Sequence, residues 1–415
     1  MRGNRSAPNL GKLVATVASN VIRVGNRAYT AVFVTLFVAG IGNSFVFAVL
    51  PPLGREMGLS EAKIGLIVSI SAFVFMLAAP WWGHRSEHWG RRRVILLGLS
   101  GYGILTILFA VAIQLRLNGI IALWTAFVTL VLLRAVFSMC VAGIFPASQA
   151  YLADITTAET RTAAMGFYGM AMGSGMIAGP AVAAGFSSIN LLAPFYAVAA
   201  LSVLAGWCML AWVTEPERHT HADADISAPA NLRAWLPHFL VSTVVMASMS
   251  AIQQSSGFYF QDKFTLDAAH TARLVGLALT ASAVASVFSQ MYVVRRLGWQ
   301  PSRLLRIGVP VSTAGVAILV FGHTYPLLVI GLTIFGLGQG MTMPGNIAAL
   351  SMTARSHEQG RAAGLNTSAL GLGFVIGPTM GSLLYTAHPL APYSTCLVLF
   401  VLMIVHVRVN LRHVK

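Results

Sequence analysis

The sequence predicts an all-α membrane protein whose twelve transmembrane helices form two six-helix, pseudo-symmetric bundles. Three observations carry this expectation. Hydrophobic residues make up 56% of the chain and charged ones only 9%, with a mean hydropathy of +0.74, far from the soluble globular range. Apolar runs of about twenty residues, each able to cross a bilayer core of roughly 30 Å, recur twelve times. The segment 166–180 returns 198 residues later as 364–378.

In order, residues 1–30 are basic and free of acids, and lack the apolar core of a secretory signal. Leu10, Val14, Val17, Val21 and Val24 keep helical spacing, which predicts a cytoplasmic segment lying along the membrane surface. The first bundle, 31–213, holds spans at 31–52, 62–82, 94–115, 121–150, 163–187 and 190–213. A polar interval, 214–233, reads as a cytoplasmic linker, and its histidines and carboxylates have no metal-ligand spacing. The second bundle, 234–410, holds spans at 235–259, 272–294, 304–322, 325–352, 362–386 and 391–409, and residues 411–415 form a tail. Phe258, Tyr259 and Phe260 read as an interfacial aromatic belt.

The repeat is a glycine and proline framework. Gly166, Gly175, Gly179 and Pro180 recur as Gly364, Gly373, Gly377 and Pro378, while Phe137 and Pro146 pair with Phe335 and Pro344 at the same offset. Glycines four apart let a second helix approach backbone to backbone, and the prolines weaken their own helices. Two related halves joined near the middle are the architecture of secondary transporters, whose substrate site lies between them.

The formal charge of +15 would suit nucleic acid in a soluble protein. Here it follows the membrane. Arg85, Arg91, Arg92, Arg93, Arg295, Arg296, Arg303, Arg306, Arg408 and Arg412 fall on the side shared with both termini, against Arg55, Lys63, Arg116, Lys263 and Arg273 on the other. The positive-inside rule then predicts cytoplasmic termini, and the absence of long outer loops and of a cysteine framework points to a bacterial inner membrane. Partners are expected to be the lipid bilayer and a small-molecule substrate, with no nucleic acid, no cofactor and no metal. Cys140, Cys208 and Cys396 fall in spans without redox or metal spacing.

Three motifs then resemble those of the major facilitator superfamily. The turn after helix 2 runs from Gly83 through Glu87 to Gly90 and Arg91, with His88 where that family usually has arginine. Helix 4 carries Arg134 four residues before Ser138, a place usually held by glycine. The segment 166–180 is similar to the motif of the drug and metabolite exporters, with Ala183 and Ala184 in place of a terminal glycine pair. The resemblance implies the major facilitator fold, alternating access, proton antiport and a functional monomer. It also implies that Glu87 and Asp154, with Gly83, Gly90 and Arg91, belong to a cluster gating the cytoplasmic side; Glu87 is expected to accept hydrogen bonds from Arg91.

Arg134 stands mid-span, where an unpaired charge costs several kcal/mol, and its repeat-related position is Leu332. All twelve acids fall at helix ends or in loops, and the polar residue of helix 1 is the neutral Asn43. A cavity holding Arg134 and no carboxylate would favour anionic or zwitterionic cargo. Asn43, Gln253, Gln254, Gln339 and Asn346 are further candidate binding residues, since amides in spans tend to face the interior. The expectation is therefore an exporter of a small polar metabolite, a siderophore-like compound included. The alternative is a multidrug efflux pump for neutral or cationic amphipaths. An importer shares the fold; a membrane enzyme or sensor lacks any nucleophile, metal cluster or soluble domain in the sequence.

Overall fold

The computed structural model of the protein describes residues 26–215, 232–355 and 358–410. The expected surface helix before residue 26, most of the linker and the tail 411–415 lie outside the described residues. The rest is helical. The spans are α1 (Arg27–Glu56), α2 (Glu61–Trp89), α3 (Arg91–Leu117), α4 (Leu123–Asp154), α5 (Ala163–Phe186) and α6 (Ala193–Trp212) in one half. The other half holds α7 (Leu232–Phe264), α8 (Ala268–Val294), α9 (Pro301–Phe321), α10 (Tyr325–Thr353), α11 (Arg361–Ala387) and α12 (Ala391–Asn410). With twelve crossings, the first and last helices end on the same face as the linker, here called the linker face; the opposite side is the far face.

Each half is built on the same clasp. In α5 a Cβ at Gly175 would collide with the carbonyl of Phe37, and one at Gly179 with Ser44 and the carbonyl of Ile41. In α11 the corresponding collisions are of Gly373 with Thr243, and of Gly377 with Ser250 and Ala247. The residues met on α1 and α7, Phe37 with Thr243, Ile41 with Ala247 and Ser44 with Ser250, are each 206 apart. Both serines return their hydroxyl hydrogen to their own helix, Ser44 to Gly40 O at 3.1 Å and Ser250 to Met246 O at 2.8 Å. That leaves no polar group to satisfy from the partner helix, so close approach costs nothing in hydrogen bonding. Gly166 and Gly364, in contrast, face open space.

The prolines do not stop their helices: α5 continues through Pro180 and α11 through Pro378. Interruptions lie instead in α1, between Ser44 and Val46, and in α4, between Val141 and Ile144. A second symmetric pair joins the halves at the prolines. Gly276 of α8 lies against Pro180 O and Ala184 of α5, and Gly65 of α2 against Pro378 O and Ser382 of α11. The residues following each motif proline are therefore the seam between the halves, and Ala184 and Ser382 are small where the crossing is tightest.

Contacts across the seam cluster toward the far face. Pro51 of α1 meets Gly257 of α7, the rings of Phe47 and Phe374 meet edge-on at 5.8 Å, and Ser69 Oγ accepts from the Thr379 amide at 3.1 Å. Met76 against Gly371 is the deepest of these toward the linker face. Beyond it Gly166, Gly169 and Gly173 of α5 and Gly364 of α11 have no neighbour within 4 Å of a built Cβ. The molecule is closed at the far face and parted at the linker face.

Candidate functional site: a closed far gate over a parted cleft

At the far face Arg55, in the last turn of α1, is held by both halves. Its Nη1 and Nη2 donate to the two carboxylate oxygens of Asp262 on α7 at 2.6 and 3.0 Å, and its Nε and Nη2 donate to Glu61 Oε1 on α2 at 2.9 and 2.6 Å. The guanidinium carbon lies 5.0 Å from the Phe258 ring and 5.5 Å from that of Tyr385. Tyr385 OH completes the cage by donating to Asp262 Oδ2 at 2.6 Å. A planar cation with fork geometry suits this site, because it fills two carboxylates and stacks on two rings at once. In the sequence Arg55 stands only as a far-side charge and Asp262 as an acid beyond the predicted end of its span. Helix α7 extends past the predicted end to Phe264, which carries Asp262 onto its last turn and up to the seam.

That extension also corrects the aromatic belt. Phe258, Tyr259 and Phe260 are all buried, at 0, 4 and 1% exposure. Three consecutive helical residues span about 200° of the helix circumference and so meet different neighbours. Phe258 packs on Tyr385 of α11, Tyr259 on Tyr393 of α12 and Phe260 on Tyr325 of α10.

Below the gate the candidate binding residues separate. Asn43 lies one turn from Phe47 on the same face of α1, and Gln253 one turn from Gly257 on α7, so both look onto the cleft beneath the closed seam. Gln254 and Gln339 are buried at 0 and 5% exposure, with both amide atoms lacking partners. Asn346 does not line the cleft. It is fully buried and donates to His238 O and Ser242 Oγ, each at 2.9 Å, inside the second half.

Arg134 departs most from expectation. The small cavity beside it is lined by Phe45, Thr106, Phe109, Phe137 and Phe195, all from the first half. Its guanidinium stacks 4.5 Å from the Phe137 ring, and its buried Nε has no hydrogen-bond acceptor. The cavity walls come from α1, α3, α4 and α6, and Arg134 itself is half-buried.

At the linker face the motif turn is assembled within the first half. Gly90 has φ +98°, open to glycine and strained for other residues, and a Cβ there would lie 2.8 Å from the Glu215 carboxylate. Glu215, just past α6, accepts from the backbone N–H groups of Arg91 and Arg92 and caps α3 with a negative charge. Arg91 donates to Ser86 Oγ at 2.6 Å and to Asp154 Oδ2 at 3.3 Å. Glu87, however, is 57% exposed and 3.9 Å from Arg91, too far for the expected hydrogen bond. Asp154 rather than Glu87 is the acid that holds Arg91. A Cβ at Gly83 would meet Pro146 of α4 at an ordinary 3.7 Å, so the packing there does not require glycine. No sequence cue marked Glu215 beyond its place after the last apolar residue of α6.

The family description Major Facilitator Superfamily matches residues 32–311 and 238–414, together nearly the whole chain. The chain belongs to the Major Facilitator Superfamily. Among curated superfamily relatives it is 26% identical over 368 residues to "Multidrug resistance protein 1" of Bacillus subtilis (strain 168), covering 87% of this chain and 90% of that one. It is 23% identical over 375 residues to "Quinolone resistance protein NorA" of Staphylococcus aureus (strain COL), covering 88 and 92%. Among solved structures, a D-xylose-proton symporter superposes with a TM-score of 0.73 at 13% identity, covering 93% of this chain and 98% of that one. A bacterial homolog of the human lysosomal transporter Spinster, in an inward-facing and occupied conformation, gives 0.71 at 14%, covering 92 and 96%. These structures share the fold. As a member of this superfamily the protein is a multi-pass membrane transporter with small-molecule substrates, and not an enzyme.

Proposed function

We infer that the protein is a proton-coupled exporter of small amphipathic organic compounds, neutral or cationic, working by alternating access. The observation that carries this reading is the chemistry of the cleft. The half-buried residues about it, Asn43, Met76, Gln253 and Phe374, are apolar or neutral amides, whereas the cavity beside Arg134 is lined by first-half residues. A pocket of polarizable, adaptable side chains suits varied amphipaths better than a carboxylate-bearing metabolite. The drug-resistance names of both curated relatives support the same direction.

The remaining assignments are part of this proposal. The linker face, bearing the arginines, is the cytoplasmic side of a bacterial inner membrane, so both termini are cytoplasmic and the parted cleft is open to the cell interior. Gly83, Glu87, Gly90, Arg91 and Asp154 serve the cytoplasmic gate and Arg55, Glu61 and Asp262 the outer one. The two bundles, 31–213 and 234–410, rock about the symmetric glycine contacts on either side of the linker. One chain carries a complete cleft, which supports a functional monomer. The test is efflux from a drug-hypersensitive bacterial host expressing the protein, using ethidium and a fluoroquinolone with and without a protonophore. Protonophore-sensitive efflux of these probes is expected. Secretion of an acidic metabolite without any drug efflux would overturn the reading in favour of an anion exporter, a siderophore-like cargo included.

A further inference from the structure

The transport cycle needs a titratable group, and the cleft residues named above offer none. One lies buried in the second half. His238 of α7 is 1% exposed and its Nδ1 is 2.9 Å from Asn346 Oδ1 on α10. Both hydrogens of the Asn346 amide are already committed, one to His238 O and one to Ser242 Oγ. Asn346 Oδ1 is therefore an acceptor, and Nδ1 carries a proton. Ser242 in turn donates to Asn366 Oδ1 on α11 at 2.6 Å, so the donors run in one direction from α10 through α7 to α11.

The other ring nitrogen decides the point. Nε2 faces Thr353 Oγ1 at 3.5 Å, but that hydroxyl spends its hydrogen on Ala349 O at 2.9 Å. In neutral imidazole Nε2 is an acceptor, and the Thr353 hydroxyl must leave Ala349 O to donate to it. In imidazolium it is an N–H facing an acceptor. Protonation therefore adds one hydrogen bond to the network, because the hydroxyl then keeps Ala349 O while Nε2–H donates to it.

Its surroundings make that proton consequential. Pro237 precedes His238 inside α7 and Pro344 lies two residues before Asn346 inside α10, so the network clamps two helices where each lacks a backbone hydrogen bond. The first half has nothing comparable: at the repeat offsets, Val32 and Leu36 stand for His238 and Ser242, and Ser148 for Asn346. The scaffold does not require the cluster. The titratable neighbour is His406 of α12, whose Nε2 is 3.2 Å from Pro237 O; Arg233 lies earlier on α7, Glu358 and Arg361 at the start of α11, and Arg408 of α12 lines a cavity against α9. The stretch 346–353 of α10 contains no ionisable residue.

We propose that His238 is a proton-binding site whose occupancy stabilises the linker-face-open state by clamping α7 to α10. The direction suits the exporter reading, on which this rests: protonation favours the return of the empty carrier toward the cytoplasm, and deprotonation there frees it to turn outward.

The test uses the full chain in nanodiscs, with no cargo and no native cysteines. Spin labels are placed at Gly169→Cys and Gly364→Cys, two positions facing open space on opposite halves. The inter-label distance is followed from about pH 5.5 to about pH 8.5, the range in which histidine titrates. Wild type should pass from long to short distances as pH rises, and His238→Gln should flatten the curve. Thr353→Val, which removes only the Nε2 acceptor at an exposed site, should move the midpoint down by about one pH unit, and Asn346→Asp should move it up. A pH-independent wild type, an unchanged curve in His238→Gln, or an unmoved midpoint in Thr353→Val should His238→Gln not fold, would each overturn the proposal. Because no cargo is present, an unexpected substrate would leave this result standing, and drug efflux with pH-independent distances would retain the exporter and remove the switch.

Discussion

Arg55 and Asp262 meet across the seam between the halves through two parallel hydrogen bonds of 2.6 and 3.0 Å. One residue lies in the last turn of α1, the other in that of α7, and Phe258 and Tyr385 close over the pair. This is the polar lock of the closed far face.

Asp262→Asn should weaken that lock. Asp262 is 48% exposed, so the loss is modest, about 1 kcal/mol or roughly a fivefold shift in the ratio of states. The expected outcome is higher accessibility of cysteines placed at the far face, read by maleimide labelling. Unchanged labelling would show that the aromatic and glycine contacts hold the face closed without the ion pair.

The glycine contacts at the seam should be less forgiving. A Cβ at Gly276 would lie 2.5 Å from Pro180 O, and one at Gly65 2.7 Å from Pro378 O. Gly276→Val and Gly65→Val should each obstruct closure and reduce transport at least about tenfold, since backbone cannot yield as a flexible side chain can. The inter-label distance across the linker face should shorten in both variants. Normal transport in either would remove these contacts from the cycle.

Gly90→Ala should act through stability. The φ of +98° and the facing Glu215 carboxylate both oppose a side chain, a combined cost of about 1–3 kcal/mol. Thermal unfolding in detergent should show a lower midpoint. Glu215→Gln, which keeps an acceptor but loses the charge at the start of α3, should show a smaller decrease. Equal effects would mean that the backbone conformation contributes nothing of its own.

Two substitutions contrast the cleft with the enclosed arginine. Asn43→Leu should change ethidium binding at least about threefold, as expected for one hydrogen bond in a binding site. Arg134→Leu should leave it within about twofold, since the cavity beside Arg134 is lined by first-half residues. Fluorescence titration of purified protein distinguishes them, and the reverse order would return the anion site to contention.

Much of this was legible in the linear chain because membrane insertion and helix packing are written in local patterns. Apolar runs locate all twelve spans, and the glycine echo predicts a backbone-to-backbone approach to α5 and α11, for which the structure supplies α1 and α7 as the partners. The site was less legible. Arg134 was conspicuous as a mid-span charge, but its rotation about α4 depends on packing that hydropathy does not encode, and it turned inward to its own half. Arg55 and Asp262 are 207 residues apart, and only the longer α7 and the closed seam bring these two charges together. Glu87 kept its motif position yet yielded its partner to Asp154, which is distant in sequence and adjacent only when α3 and α4 pack.

The sequence by itself determined the membrane setting, the twelve helices, the twofold repeat and the family, because each follows from composition, period or short motif. Only the tertiary structure decided which charges meet, which amides face the cleft and which face of the molecule is open. Those depend on helix rotation and on contacts between halves, set by the summed packing of many side chains rather than by any one local signal.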